Sequence, residues 1–233
     1  MFCLMLMASI AGAPFQSSDT ITVGHPALRG ASLTLGTDTT EVYVVRDGTR
    51  KLVSTSTVNV ARAGENYVVV FIGPTRAGAT IDSVVISATT LAPVRHVEVM
   101  PDHRATFNFS QGRITGNRDS AGVKAAIDLS VAENRFDFSV LQSVMDRLPL
   151  SQGYSAIVLA YDVSTRKDRA VTVSVVGKEA VEAAGASTDA WKTSVDFGTH
   201  QVTRWIAIAD RRELRWEISR GEMKMEGLTK RGT

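Results

Sequence analysis

The chain has 233 residues, with 26 Lys and Arg against 24 Asp and Glu. That balance, with no basic block interleaved with aromatics, excludes the electrostatic footprint of a nucleic-acid-binding protein. Hydrophobic residues make up 44% and charged residues 21%, an ordinary globular composition that suits one large all-β domain or two small ones.

The N-terminal run Phe2 to Ile10 is too short to span a bilayer. It has the length of a signal-peptide core, and Ala11-Gly12-Ala13 resembles a small-residue cleavage site. No Lys or Arg precedes the run, and Pro14 follows the site. Residues 1–18 are expected to be a signal peptide. The expected location is outside the cytoplasm, periplasmic or associated with a bacterial outer membrane. Cys3, the only cysteine, would leave with that segment. A mature chain would then hold no disulfide, no cysteine-based zinc site and no thiol nucleophile. No later run is long enough for a transmembrane helix.

From residue 19 onward, Val, Thr, Ser and Ala dominate and period-2 alternation recurs, the signature of half-buried strands. "EVYVVRDGTRKLVSTSTVNV" reads as two strands joined at Asp47-Gly48, where Gly accepts a positive φ. "NYVVVFIGP" follows and ends at Gly73-Pro74. Further strands are expected from Thr80 to Ser87 and from Val94 to Met100. In "ATFNFSQGRITG" Phe107 and Phe109 share a face before a turn at Gln111-Gly112. In "VKAAIDLSV" Ile127 and Leu129 share another. The pattern then changes: Val140, Leu141, Val144, Met145 and Leu148 recur at helical spacing. Asp137 or Ser139 is placed to cap that helix and Pro149 to stop it. Strands resume with "YSAIVLAYDV", "RAVTVSVVG", "DAWKTSVDF" and "TRWIAIADRRELRWEIS". "GEMKMEGLTKRGT" is polar and unpatterned, so residues 221–233 are expected to be a flexible tail. Residues 19–220 are expected to form a single β-rich domain.

Two segments have the same shape. "IDSVVISATTLAPVRHVEV" and "TRWIAIADRRELRWEIS" each have an apolar run, a polar turn, a Leu (Leu91 or Leu214) and a second run carrying Arg. Roughly a dozen short strands pairing in sequence, with one helix, predict a strongly curved antiparallel meander. A sheet this wide curls or splits, and a barrel near this size is too wide for its own side chains to fill. The expected architecture is an incomplete or closed barrel with one amphipathic helix on the concave side. The alternative is a two-sheet sandwich with a filled core.

A search for chemistry finds no nucleotide fingerprint, P-loop, G-x-S-x-G elbow or H-E-x-x-H motif. His96 and His103 lie seven apart across a turn at Pro101-Asp102, with Glu98 nearby. That spacing matches no metal motif, and solvent-facing strand histidines are the preferred reading. His25 and His200 stand alone. No catalytic, cofactor-binding or metal-ligating residue is assigned, and the chain is read as non-enzymatic. Arg204 shares strand parity with Val202, Ile206 and Ile208. Arg95 shares parity with Val97 and Val99 in the matching segment. Two inward arginines would suit an acyl-chain carboxylate or a lipid phosphate; the alternative is an internally paired or snorkelled arginine. Trp191, Trp205 and Trp216 cluster in the last strands. They are read either as core packing with one exposed ring or as an aromatic wall at a cavity mouth.

"DAWKTSVDFGTHQVTRWIAIADRRELRWEIS", "LPLSQGY" and "SATTLAPVRHVEV" resemble the C-terminal hairpins, the helix-to-strand passage and the corner of a large exported bacterial family with no assigned function. It is the family of domain-of-unknown-function 3108 type. The resemblance covers roughly Val42 to Ser219. In architecture that family is similar to the LolA/LolB-type lipoprotein carriers, in which a curved antiparallel sheet wraps over helical segments and holds acyl chains. The resemblance implies an incomplete barrel with a hydrophobic interior and a lipid-like ligand class. It carries over no ligand-contacting residue and does not imply lipoprotein transport. The expected function is an exported binding domain for a lipid-like or other apolar ligand, with Arg95, Arg204, Trp191, Trp205 and Trp216 as candidate contacts. The alternative is a structural or interaction module with a filled core and an envelope protein as partner.

Overall fold

The computed structural model describes residues 19–183, 186–221 and 223–232. The expected signal peptide and Cys3 lie outside these residues. The strands are β1 (Asp19–Ile21), β2 (Gly36–Arg46), β3 (Thr49–Ala63), β4 (Asn66–Thr75), β5 (Gly78–Ser87), β6 (Pro93–Met100), β7 (His103–Ser110) and β8 (Arg113–Ser120). They continue with β9 (Val123–Ser130), β10 (Phe136–Asp137), β11 (Ser155–Asp162), β12 (Lys167–Ala183), β13 (Ala186–Asp196), β14 (Gln201–Ala207), β15 (Glu213–Arg220) and β16 (Met223–Arg231). All belong to one sheet in the order β1-β11-β12-β13-β14-β15-β16-β2-β3-β4-β5-β6-β7-β8-β9, with β10 beside β11.

The turn chemistry explains why most neighbours in sequence are neighbours in the sheet. Asp47 and Gly48, at φ 50° and 74°, turn β2 into β3. Left-handed backbone at both central positions gives a tight turn whose twist matches that of the flanking strands. Ala121 and Gly122 repeat the device between β8 and β9. The exceptions are β1 and β10, which pair in parallel with β11.

The sheet curls, and its core shows how far. Tyr67 and Val69 of β4 and Val84 and Ile86 of β5 share one buried cluster with Ala156 and Val158 of β11 and Val171 and Val173 of β12. These strands stand far apart in the sheet order, so only a curved sheet brings their inner faces together. Inside the curve lies a short 3₁₀ turn, Phe138–Val140, followed by α1 (Leu141–Met145). Asp137 caps it by accepting from the Ser139 backbone N–H at 2.8 Å. Leu141, Val144, Met145 and Leu148 are all buried in the same cluster. The apolar spacing in the sequence marks this face correctly, but the regular helix is only a turn or so long.

The hydrogen-bonded sheet stays open, and side chains bridge the gap between its ends. Tyr161 and Val163, at the end of β11, pack on Phe107, Ile114 and Ile127 of β7, β8 and β9.

The two similar segments are one structure built twice. Ser87 N–H donates to Ala92 O at 2.8 Å and Leu91 N–H to Ser87 O at 2.9 Å. In the second corner, Ala207 N–H donates to Arg212 O at 2.8 Å and Arg211 N–H to Ala207 O at 3.1 Å. Both corners reach back to the preceding strand in the same way, Ala88 N–H to Glu65 O and Ile208 N–H to Asp189 O. Both carry a register shift, after Val85 and after Trp205. Leu91 and Arg211 occupy the same left-handed position, at φ 58° and 61°. The sequence reading matches Leu91 with Leu214 and takes Arg95 and Arg204 as inward arginines of equivalent corners. The hydrogen bonds instead pair Leu91 with Arg211, and the register sets Arg95 opposite Val85 as it sets Arg215 opposite Trp205.

The expected flexible tail is corrected. Residues 223–231 form β16, hydrogen-bonded to β15 on one side and β2 on the other. It joins the two halves of the sheet. Its sequence looks unpatterned because Gly227 and Thr229 interrupt the inner face and Lys224, Glu226 and Lys230 make most of the outer face ionic. A Cβ at Gly227 would overlap the Trp216 indole, so only glycine lets that ring lie flat on the strand. On the outer face Glu226, 1% exposed, is paired with Arg50 and Arg215. Lys224 meets Glu217 and Lys230 meets Glu41, each at 2.8 Å.

Candidate functional site

Between α1 and the inner face of β2, β3 and β4 the core leaves a cavity of about 360 Å³. This is at the lower end of ligand-pocket volumes, which run from about 300 to 1,000 Å³. Strand parity builds one wall. Val58 and Val60 of β3 pair with Phe71 and Val69 of β4, and all four side chains line the space with Leu33 and Trp216. A polar band crosses it at Thr40, Ser56 and Thr229, with the Thr40 and Thr229 hydroxyls 3.1 Å apart. Asp38, Arg147, Arg211 and Arg212 add charge to the lining, as do Asp146 and Glu213 beside α1.

The floor is held by a buried ionic cluster. Arg204, 3% exposed, is paired through Nη2 with Asp146 at 2.8 Å and through Nε with Glu213. Gln142 of α1 donates to the other Glu213 oxygen at 2.8 Å. Burial raises the carboxyls of Asp146 and Glu213, and the Arg204 charge opposes that rise. Burial works against the Arg204 charge, but the two carboxylates outweigh it and hold the guanidinium above its ordinary value. Burial lowers the Arg147 guanidinium and raises the Asp38 carboxyl.

A second buried ion pair sits at the other end of the same segment. His96 of β6 lies 2.9 Å through Nδ1 from Asp137 and 3.5 Å through Nε2 from Asp82. Burial opposes its charge, but the two carboxylates win and push the imidazole up to about 10. Residues 137–146 are therefore fastened to the sheet at both ends, by His96 and by Arg204. His103 bridges Glu98 and Asp102, each at 3.0 Å. His96 and His103 thus have separate partners. Among the described residues no group of three or more His, Cys, Asp or Glu is arranged to hold a metal ion.

The predicted contacts separate. Trp216 lines the cavity. Trp191 is half-buried against the main core. Trp205 lies on the outer face yet is only 4% exposed. Its N–H donates to Glu179, and Lys192 and Arg215 cover the ring at 5.3 and 5.0 Å from its centre. Arg204 points inward as its parity implied, and its own carboxylates occupy it. Arg95 is corrected: it is exposed, and the inward positions of β6 are His96 and Glu98. The valine parity misled because these polar side chains find buried partners, while Val97 and Val99 are half-buried on the other face. Arg147, Arg211 and the wall of β3 were missed. In "STSTVNV" small polar residues occupy both faces, so alternation does not show which is inner.

Among known structures, a β-barrel-like protein of the domain of unknown function DUF1849 from Brucella abortus is similar in fold. Its identity is 12% and its TM-score 0.52, over 86% of this chain and 98% of that one. The hypothetical lipoprotein YmcC from Escherichia coli shares 12% identity at a TM-score of 0.35, over 89% and 94% of the two chains. No curated protein matches the chain. No helix among the described residues is long and apolar enough to cross a membrane. The family model described as "Protein of unknown function (DUF3108)" matches residues 39–226, from β2 into β16, and the chain belongs to that family.

Proposed function

We propose that this chain is a non-enzymatic, exported binding domain whose interior cavity takes a lipid-like or other apolar molecule. The observation that carries the reading is the space of about 360 Å³ beside α1, whose apolar wall is Val58, Val60, Val69, Phe71 and Trp216. Apolar walls with a few convergent polar groups characterise ligand pockets. Export rests on the apolar run Phe2 to Ile10.

Solvent extraction of the purified chain followed by mass spectrometry, together with titration of a fluorescent fatty-acid probe, tests the reading. Val58→Trp should fill the cavity and weaken probe binding about ten-fold or more, at a stability cost of about 1–3 kcal/mol. Far-UV circular dichroism should stay unchanged. A chain that extracts clean and ignores the probe, or a variant that binds it as well as wild type, would favour an interaction module of the envelope with no ligand.

A further inference from the structure

We propose that the cavity selects a single-chain amphiphile with an anionic head, the head held by Arg147 and Arg211 and the chain lying along Val58, Val60, Val69 and Phe71. This rests on the cavity reading above and names the ligand class. Its volume of about 360 Å³ suits one chain rather than several.

Three arginines line this cavity with a buried nitrogen that has no hydrogen-bond partner, Arg147, Arg211 and Arg212, and of these only Arg212 has a carboxylate, that of Asp210, within 4.0 Å. Arg147 donates through Nη1 to Ser32 O at 3.3 Å and through Nη2 to Arg211 O at 2.6 Å, while its Nε is buried without a partner. Arg211 Nη1 is likewise buried and unpartnered. Among the described residues neither Arg147 nor Arg211 forms an ion pair. The nearby carboxylates lie closer to other arginines: Asp146 and Glu213 hold Arg204, and Asp210 lies 4.0 Å from Arg212. Asp146 and Asp210 act on Arg147 at longer range, without an ion pair, and Asp38 feels Arg212 and Arg231. A buried guanidinium nitrogen without an acceptor is costly, and an anion supplying two acceptor oxygens satisfies two of them.

The repeated corner shows that the fold does not require this charge. At the position equivalent to Arg211 the first corner carries Leu91, at φ 58° and 1% exposed. The same backbone turn therefore accepts a leucine. What distinguishes the second corner is a cation facing an apolar-walled space.

Isothermal titration calorimetry of the full chain with dodecanoate, dodecyl phosphate, dodecanol and dodecylamine, each below its micelle-forming concentration, tests the proposal. Both anions should bind about ten-fold or more tighter than the alcohol, the scale of a charge-assisted contact, and the amine should bind weakest. The ratio of dodecanoate to dodecyl phosphate then distinguishes a carboxylate ligand from a phosphate ester. Arg211→Leu imports the residue of the first corner, and Arg211→Asn supplies one that tolerates the left-handed backbone. Both should lower the dodecanoate-to-dodecanol affinity ratio several-fold, with Arg147 still in place. A wild-type ratio near one overturns the head-group assignment while leaving the cavity reading standing. A ratio that persists in both variants overturns it too. Failure of all the compounds to bind removes the cavity reading as well.

Discussion

His96 is charged while buried, because Asp137 lies 2.9 Å away and Asp82 3.5 Å away. Its pKa of about 10 stands above the ordinary 6.5. A group raised on folding stabilises fully below its unfolded pKa and loses that contribution as pH rises through the folded one. The stability difference between wild type and His96→Met should therefore be largest at or below about pH 6.5 and shrink as pH approaches about 10. Urea unfolding across that range measures it, and a difference that grows with pH would contradict the assignment. Strand parity alone did not reach this residue. It ranked Arg95 as inward because valines alternate with it, and a buried histidine resembles a surface one until Asp137 is brought up from another part of the chain.

The segment from Asp137 to Asp146 is too short to be stable as an isolated helix. It is held by what it touches: apolar side chains against the sheet, the His96 pair at one end and the Arg204 cluster at the other. Removing one partner of a buried pair leaves the others charged and unsatisfied, at a cost of about 3–5 kcal/mol. Arg204→Met should lower stability by that order, read as a shifted denaturant midpoint with an unchanged slope. A loss of less than about 1 kcal/mol would show that Asp146 and Glu213 accept protons or water readily. The helix was legible in the sequence because Leu141, Val144, Met145 and Leu148 recur at helical spacing. Its anchoring was not, since Glu213 and Arg204 lie some sixty to seventy positions further along.

The two halves of the sheet meet at β16, which covers the hydrogen-bonding edges of β15 and β2. A chain ending at Arg220 would expose both edges, and unpaired edges recruit other chains. It should accumulate as aggregate, or elute in the void volume on size exclusion. A soluble monomer with the wild-type melting temperature would show that β16 is dispensable. The curvature also depends on this strand, since α1 and the cavity lie inside the arc that β16 completes.

The sequence by itself determined the local order: short turns such as Asp47-Gly48 make successive strands pair, and the apolar run after Asp137 makes an inward-facing turn of helix. It also showed one corner twice, though not its alignment. Only the tertiary structure decided where residues 223–231 go, which arginines are ion-paired and which are not, and where the cavity lies. Those outcomes depend on contacts between distant positions, β2 with β16 and β6 with β10, which form only once the sheet curls. Local propensity cannot register an ion pair or a cavity whose two sides lie a hundred residues apart.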